Sequence, residues 1–173
     1  EKHLLVQCDM NHEKKNLLDV ASNFKNHPFV RIPEVYEELS SDSCLVMEYI
    51  DAIRGTDTKA YNLIDRNLVA ERMLEAYYSM VYFHGVFHVD PHPGNTFFTA
   101  DGKIILVDFG MIGRLPVEDR WSTMSFFYSC SLRNWTLAIE QIVALLHLRG
   151  RIDEEKEVFY AEMQEVLILH FEK

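Results

Sequence analysis

The chain has 173 residues, about one domain with room for a self-sufficient core, so neither a metal nor a disulfide staple is required. Its 48% apolar and 25% charged residues exclude a disordered or collagen-like chain, and 17 basic against 27 acidic side chains, a net charge of −10, exclude a general nucleic-acid footprint. No apolar run reaches the roughly 18 residues of a membrane span, the longest aliphatic stretch being Ile104-Ile105-Leu106-Val107.

Residues 1–25 predict a helix, with Leu17, Leu18, Val20, Ala21 and Phe24 on one face and Asn26-His27-Pro28 as its breaker. Val30 to Ile32 and Pro33 to Glu38 predict short extended pieces, Ser40 to Ser43 a turn, and Cys44 to Ile50 a buried strand. Residues 51–62 carry turn chemistry at Gly55, Thr56 and Asp57 and predict a connector. A helix follows over Asn67 to His84, striped by Val69, Met73, Ala76, Met80 and Phe83 and stopped by Gly85. After the breaker-dense run from His88 to Asn95, the strands Thr96–Thr99 and Lys103–Val107 are joined by Ala100-Asp101-Gly102 into a hairpin that Asp108-Phe109-Gly110 ends.

The remainder predicts three helices. The first spans 117–132 with Trp121, Met124 and Tyr128 on one face. The second is striped by Trp135, Ala138, Ile139, Ile142, Leu145 and Leu146 and stops at Gly150. The last is capped by Asp153, with Phe159, Met163, Val166, Leu167 and His170 inward. Such aromatic-rich stripes are ordinarily core, and Phe126 and Phe127, being adjacent, cannot both lie at the centre of one face. Cys8, Cys44 and Cys130, odd in number and without a CxxC pair, favour free thiols in a reducing compartment.

The central segment carries the chemistry. His88-x-Asp90-x-x-x-x-Asn95 has the spacing of a kinase catalytic loop, and Asp108-Phe109-Gly110 has the form of its metal-binding partner. Phosphoryl transfer needs a base near the acceptor and cations on the phosphate oxygens. Asp90 suits the base, while Asn95 and Asp108 offer hard oxygens for Mg²⁺ from the two ends of one hairpin. His88, grouped with Asp90 as catalytic, is better suited to pinning the loop than to touching substrate. A competing reading takes His84, His88 and His92, spaced by four, or His88-x-Asp90-x-His92 on an extended loop, as ligands for metal-assisted hydrolysis, but Gly85, Pro91 and Pro93 prevent one helix from presenting all three histidines and no further His or Cys ligand pair stands nearby.

Phe87-His88-Val89-Asp90-Pro91-His92-Pro93-Gly94-Asn95, with Val107-Asp108-Phe109-Gly110-Met111-Ile112-Gly113, resembles the UbiB/AarF/ADCK atypical kinase family, whose loop reads HxDPHPGN. Pro33-Glu34-Val35 and Leu45 to Ile50 resemble the strands leading into that family's nucleotide hinge, and Asp9-x-x-x-Glu13 resembles the end of its ExDxxxE signature. Aminoglycoside- and choline-kinase-like enzymes share an HxDxHPGN loop, but Pro91 and the DFGMIG continuation favour the UbiB-like family.

The resemblance implies an α+β, protein-kinase-like fold: a partial N-lobe over residues 1–50 and a mostly helical C-lobe over 51–173, with a small catalytic hairpin. It implies ATP and Mg²⁺ as cofactors and phosphoryl transfer to a small molecule, a lipid or water. The implied setting is isoprenoid-quinone metabolism, with a membrane or a quinone-biosynthesis complex as partner, on the bacterial cytoplasmic side or inside mitochondria or plastids. By the same matches Glu13 pairs with a phosphate-binding lysine, and Asp9 is the second acid of the ExD element. Glu48, Tyr49 and Ile50 line the adenine side, and His92 stands where protein kinases carry a lysine.

Three departures shape these expectations. Gln7 replaces the Glu of ExD. The chain opens on Glu1 rather than Met, and no glycine precedes Gly55, so the nucleotide-covering loop, its lysine and the KxGQ element are expected upstream, and the chain by itself is expected to be inert. About six residues separate Gly110 from the helix near Val117, too few for an activation loop, which argues for a small acceptor over a protein. The alternative to an enzyme is a nucleotide-binding pseudokinase scaffold.

Overall fold

A computed structural model describes residues 9–148, 150, 152 and 155–172. The chain forms two compact units, one ending at Arg114 and the other beginning at Leu115. Strands from both sides of residue 50 share a sheet in the first unit.

In the first unit, helix α1 (Met10–Phe24) is capped by Asp9, whose carboxylate accepts from the Asn11 N–H at 3.0 Å. It buries Asn16, Leu17, Val20 and Phe24. Strands β1 (Val30–Arg31) and β2 (Ile53–Arg54) lead to helix α2 (Arg66–Tyr78), which Asp65 caps by accepting from the Asn67 and Leu68 N–H groups. A π-helical turn, Ser79–His84, extends α2 and ends at Gly85, whose φ of 67° only glycine adopts without cost. Then come β3 (Val86–His88), β4 (Thr96–Phe98), β5 (Ile104–Leu106) and β6 (Ile112–Arg114). One sheet runs β1-β5-β4-β2, with β1 parallel to β5 and the other pairs antiparallel; β3 and β6 form a separate antiparallel pair. Leu17, Val20, Phe24, Met80, Ile104, Leu106 and Phe109 form the core between α1, α2 and the sheet.

The second unit holds α3 (Val117–Ser131), α4 (Trp135–Leu145) and α5 (Lys156–Phe171) around its own core of Cys130, Trp135, Ala138, Ile139, Val143 and Leu167. Asn134 caps α4 by accepting from the Leu137 N–H at 3.2 Å.

The expected helices and the 96–107 hairpin are present among the described residues, the first helix over Met10–Phe24 with residues 1–8 of its expected span outside them, and several local expectations need correction. Cys44 to Ile50 is not a buried strand: it makes a single bridge, Val35 to Met47, and Tyr49 is 88% exposed. The connector over 51–62 contains β2 and a 3₁₀ helix (Thr58–Leu63), because β4 offers Ile53 and Arg54 an antiparallel edge. Phe83 leaves its stripe because the wider π turn after Tyr78 shifts the helical phase. In the last helix Val166 and His170 face outward, since the buried line follows Phe159, Met163 and Leu167 at four-residue steps; Leu146 lies beyond the end of α4 and is exposed. The Trp121, Met124 and Tyr128 face is exposed, while Phe126 packs on the core and Phe127 does not. The expected Asp153 cap lies outside the described residues.

Candidate active site

The loop after β3 is held by bonds that its own sequence supplies. The Asp90 N–H donates to His88 Nδ1 at 3.1 Å, which leaves Nε2 as the donor to the Val107 carbonyl at 3.1 Å. His88 is 3% exposed, lies against the Phe109 ring at 5.1 Å, and its own carbonyl accepts from the Tyr77 hydroxyl at 2.9 Å. Burial, and then the charge of Asp90, push the Tyr77 phenol up to about 12, so it stays a donor at physiological pH. His92 caps the 3₁₀ turn Pro93–Asn95, its Nδ1 accepting from the Gly94 N–H at 3.0 Å. The Val107 N–H donates to the Asn95 carbonyl at 3.0 Å, fastening the end of the loop to the end of β5.

A second set of bonds comes from β2. Arg54 Nε donates to the Gly94 carbonyl at 2.9 Å, and the Gly55 N–H donates to the Thr96 carbonyl at 2.8 Å. A Cβ on Gly55 would stand 2.6 Å from the Pro93 carbonyl oxygen, so only glycine lets the two backbones meet. The Tyr61 hydroxyl donates to the Gly55 carbonyl and braces this segment from behind.

These supports frame a cavity of about 280 Å³ lined by Glu13, His88, Asp90, Asn95, Asp108, Gly110 and Met111. Asp108 has a φ of 62°, a left-handed conformation that Asp and Asn tolerate better than other side chains. Burial raises the Glu13 pKa; repulsion from Asp108 adds to the rise and a hydrogen bond from the Phe109 N–H opposes it. Two carboxylates therefore meet across this cavity, and a cation between them would relieve the repulsion. Beside it, Pro33, Met47, Glu48, Tyr49, Ile50, Phe97, Ile105 and Val107 line a smaller apolar slot of about 170 Å³. Val107 of the slot and Asp108 of the cavity are neighbours in the chain.

Five of the expected residues, Glu13, His88, Asp90, Asn95 and Asp108, thus share one cavity, and Glu48, Tyr49 and Ile50 share the apolar slot. Asp9 and His92 belong to neither lining; each serves as a cap. The Glu48 carboxylate is turned to Arg31 and to the Glu34 N–H, so its side chain is already engaged. The histidine reading of metal hydrolysis finds no support: the His84 ring packs against Phe24 at 5.3 Å, His88 uses both nitrogens on backbone, and His92 holds its own turn. Among the described residues no group of three or more His, Cys, Asp or Glu is arranged to hold a metal.

The ABC1 atypical kinase-like domain model matches residues 1–142 of this chain. The chain belongs to that family. It is 41% identical over 119 residues to the chloroplastic protein Activity of bc1 complex kinase 1 of Arabidopsis thaliana, covering 68% of this chain and 17% of the relative. It is 36% identical over 126 residues to a probable protein kinase UbiB of Pectobacterium carotovorum, covering 69% and 23%. The chain therefore spans about a fifth of the length of these curated relatives. A solved structure from Mycobacterium tuberculosis, Rv3197 in complex with erythromycin, superposes with a TM-score of 0.64 at 20% identity, over 79% of this chain and 35% of that one, and shows the kinase-like fold.

Within this ABC1 domain, sequence reasoning missed the residues that brace the motif: Asn16, Arg54, Gly55, Tyr61 and Tyr77. Asn16 was detectable as a polar interruption of the Leu17, Val20, Phe24 face, and Gly55 as the first glycine of the chain. Arg54 and Tyr77 left no local signal, because their partners lie 40 and 11 residues away.

Proposed function

We propose that this ABC1 domain supplies the metal- and phosphate-handling half of an atypical kinase or ATPase that uses Mg²⁺ and ATP. The observation that carries the reading is the pairing of two adjoining sites. An apolar slot at Met47 to Ile50 suits a flat base, and an acid- and amide-lined cavity beside it suits a metal-bound triphosphate. The donor set fits magnesium, which takes one or two carboxylates plus phosphate oxygens and water rather than an all-protein cage. In this reading Asn95 and Asp108 hold the ion, and Mg²⁺ when bound neutralises charge on the transferred phosphate. Asp90 orients or deprotonates the attacking hydroxyl or water, and its N–H bond to His88 fixes the backbone from which it acts. Glu13 waits for a lysine on the far side of the nucleotide.

The acceptor we infer is a small molecule, a lipid or water. The 3₁₀-capping His92 replaces the lysine of protein-kinase loops, and β6 follows Gly110 at once and pairs with β3, so no segment remains to seat a peptide. The family resemblance and the plastid and bacterial relatives support a role in isoprenoid-quinone metabolism, on or near a membrane. Among the described residues no helix is long and apolar enough to cross one.

The test is Mg²⁺-dependent ATP hydrolysis by the full-length protein beside Asp108→Asn. Phosphate release that falls at least a hundredfold in the variant supports the reading. Nucleotide binding without release under every lipid condition would replace it with a nucleotide-binding scaffold. No binding at all would remove it.

A further inference from the structure

Asn16 is polar where packing alone calls for an apolar residue. It neighbours the core residues Leu17 and Val20 on α1 and is 3% exposed. A leucine would fill nearly the same volume without the cost of desolvating an amide, so the hydrogen bond it makes must account for it. That bond runs from Asn16 Nδ2 to the Phe109 carbonyl, 2.9 Å long and 93 residues distant in sequence.

The bonded peptide has a second end. Its N–H belongs to Gly110 and donates to Asp108 Oδ1 at 3.4 Å. Asn16 thus fixes the oxygen of the peptide plane whose N–H orients the Asp108 carboxylate. One turn earlier on the same helix face, Glu13 stands beside the same segment, its carboxyl raised by burial and by Asp108 and lowered by the Phe109 backbone. The Phe109 ring is fully buried, which prevents the segment from shifting as a whole.

We propose that Asn16 is a positioning residue that sets the metal response of this site, holding the Phe109–Gly110 peptide so that its N–H keeps the Asp108 carboxylate turned into the cavity. This rests on the magnesium–nucleotide reading above. Without the amide the peptide is free to rotate, its N–H leaves the carboxylate, and Asp108 relaxes from its left-handed backbone conformation.

The test compares Asn16→Leu, which removes the donor at similar volume, with Asn16→Gln, which keeps it on a longer arm, in the full-length protein. Binding of a fluorescent ATP analogue is titrated with Mg²⁺, melting temperatures are recorded, and amide hydrogen exchange is followed at Gly110 and Ile105. In Asn16→Leu the half-saturating Mg²⁺ concentration rises roughly five- to tenfold, the size of one hydrogen bond. Gly110 exchange accelerates by a similar factor while Ile105 does not. In Asn16→Gln the Mg²⁺ response stays within about threefold of the parent even where overpacking lowers the melting temperature. A Mg²⁺ response that follows melting temperature in both variants, or one unchanged in Asn16→Leu, overturns the proposal. A parent protein that binds no nucleotide at any Mg²⁺ concentration overturns the nucleotide reading instead. The exchange result then decides the clamp, with unaltered Gly110 exchange counting against it.

Discussion

Asp108 stands at a φ of 62°, where a side chain crowds the following carbonyl at a cost of about 1–2 kcal/mol. The surrounding structure sustains it: the next residue has its ring in the core and its carbonyl on Asn16. Such strain is retained where a side chain must be presented in one direction. Two expectations follow for urea unfolding of the full-length protein. Asp108→Gly should stabilise it by about 1 kcal/mol while removing the Mg²⁺-dependent nucleotide binding proposed above. Asp108→Asn should unfold close to the parent, because Asn accepts the left-handed conformation nearly as readily. A variant that loses both stability and binding would show that the carboxylate is a structural anchor. The tripeptide was readable in the sequence as a motif, but its backbone conformation was not, since no glycine marks the position.

At the scale of elements, the loop from His88 to Asn95 is held both by its own bonds and by segments distant in sequence. Its internal bonds, from His88 and His92 to N–H groups two residues on, are local and follow from the spacing. The external ones come from Tyr77, from Val107 and from β2, the last of which the sequence presented as turn chemistry. Gly55→Ala should therefore cost about 1–3 kcal/mol and, under the proposed kinase or ATPase reading, slow phosphate release, since its Cβ would meet backbone oxygens of Pro93 and Thr96 that cannot step aside. Melting temperature and steady-state hydrolysis of the variant measure the two effects.

The turn between α1 and β1 supplies a pH dependence. His27 Nδ1 accepts from the Val30 N–H at 3.1 Å, with the ring edge-on to Phe24 and Phe29. Burial lowers its pKa below the usual 6.5, and the negative charge of Glu75 only partly opposes the shift. The folded state thus binds protons less readily than the unfolded one. Its stabilising contribution is complete above pH 6.5 and is lost as pH falls through the lowered value. Unfolding midpoints of the parent should drop between pH 7 and 5, and in His27→Gln that slope should flatten. Equal slopes would assign the acid sensitivity to other groups.

For the molecule as a whole, the two units have separate cores that share no residue. Ile139, 1% exposed, is central to the second, and Ile139→Ala should cost about 2–5 kcal/mol of that unit's stability, read by hydrogen exchange of α4 and α5. The chemistry-bearing side chains all lie in the first unit. The sequence by itself determined the local form of the segment that carries them, because the His88-to-Asn95 spacing, the Asp-Gly hairpin and the breaker at Gly85 act through bonds a few residues long. Only the tertiary structure decided what those residues rest on. β1 joined β5 in parallel, β2 was recruited from a connector, and α1 was laid with Glu13 and Asn16 against Phe109. Such pairings are set by which apolar surfaces are buried together across tens of residues, and a local pattern of side chains does not encode the partner.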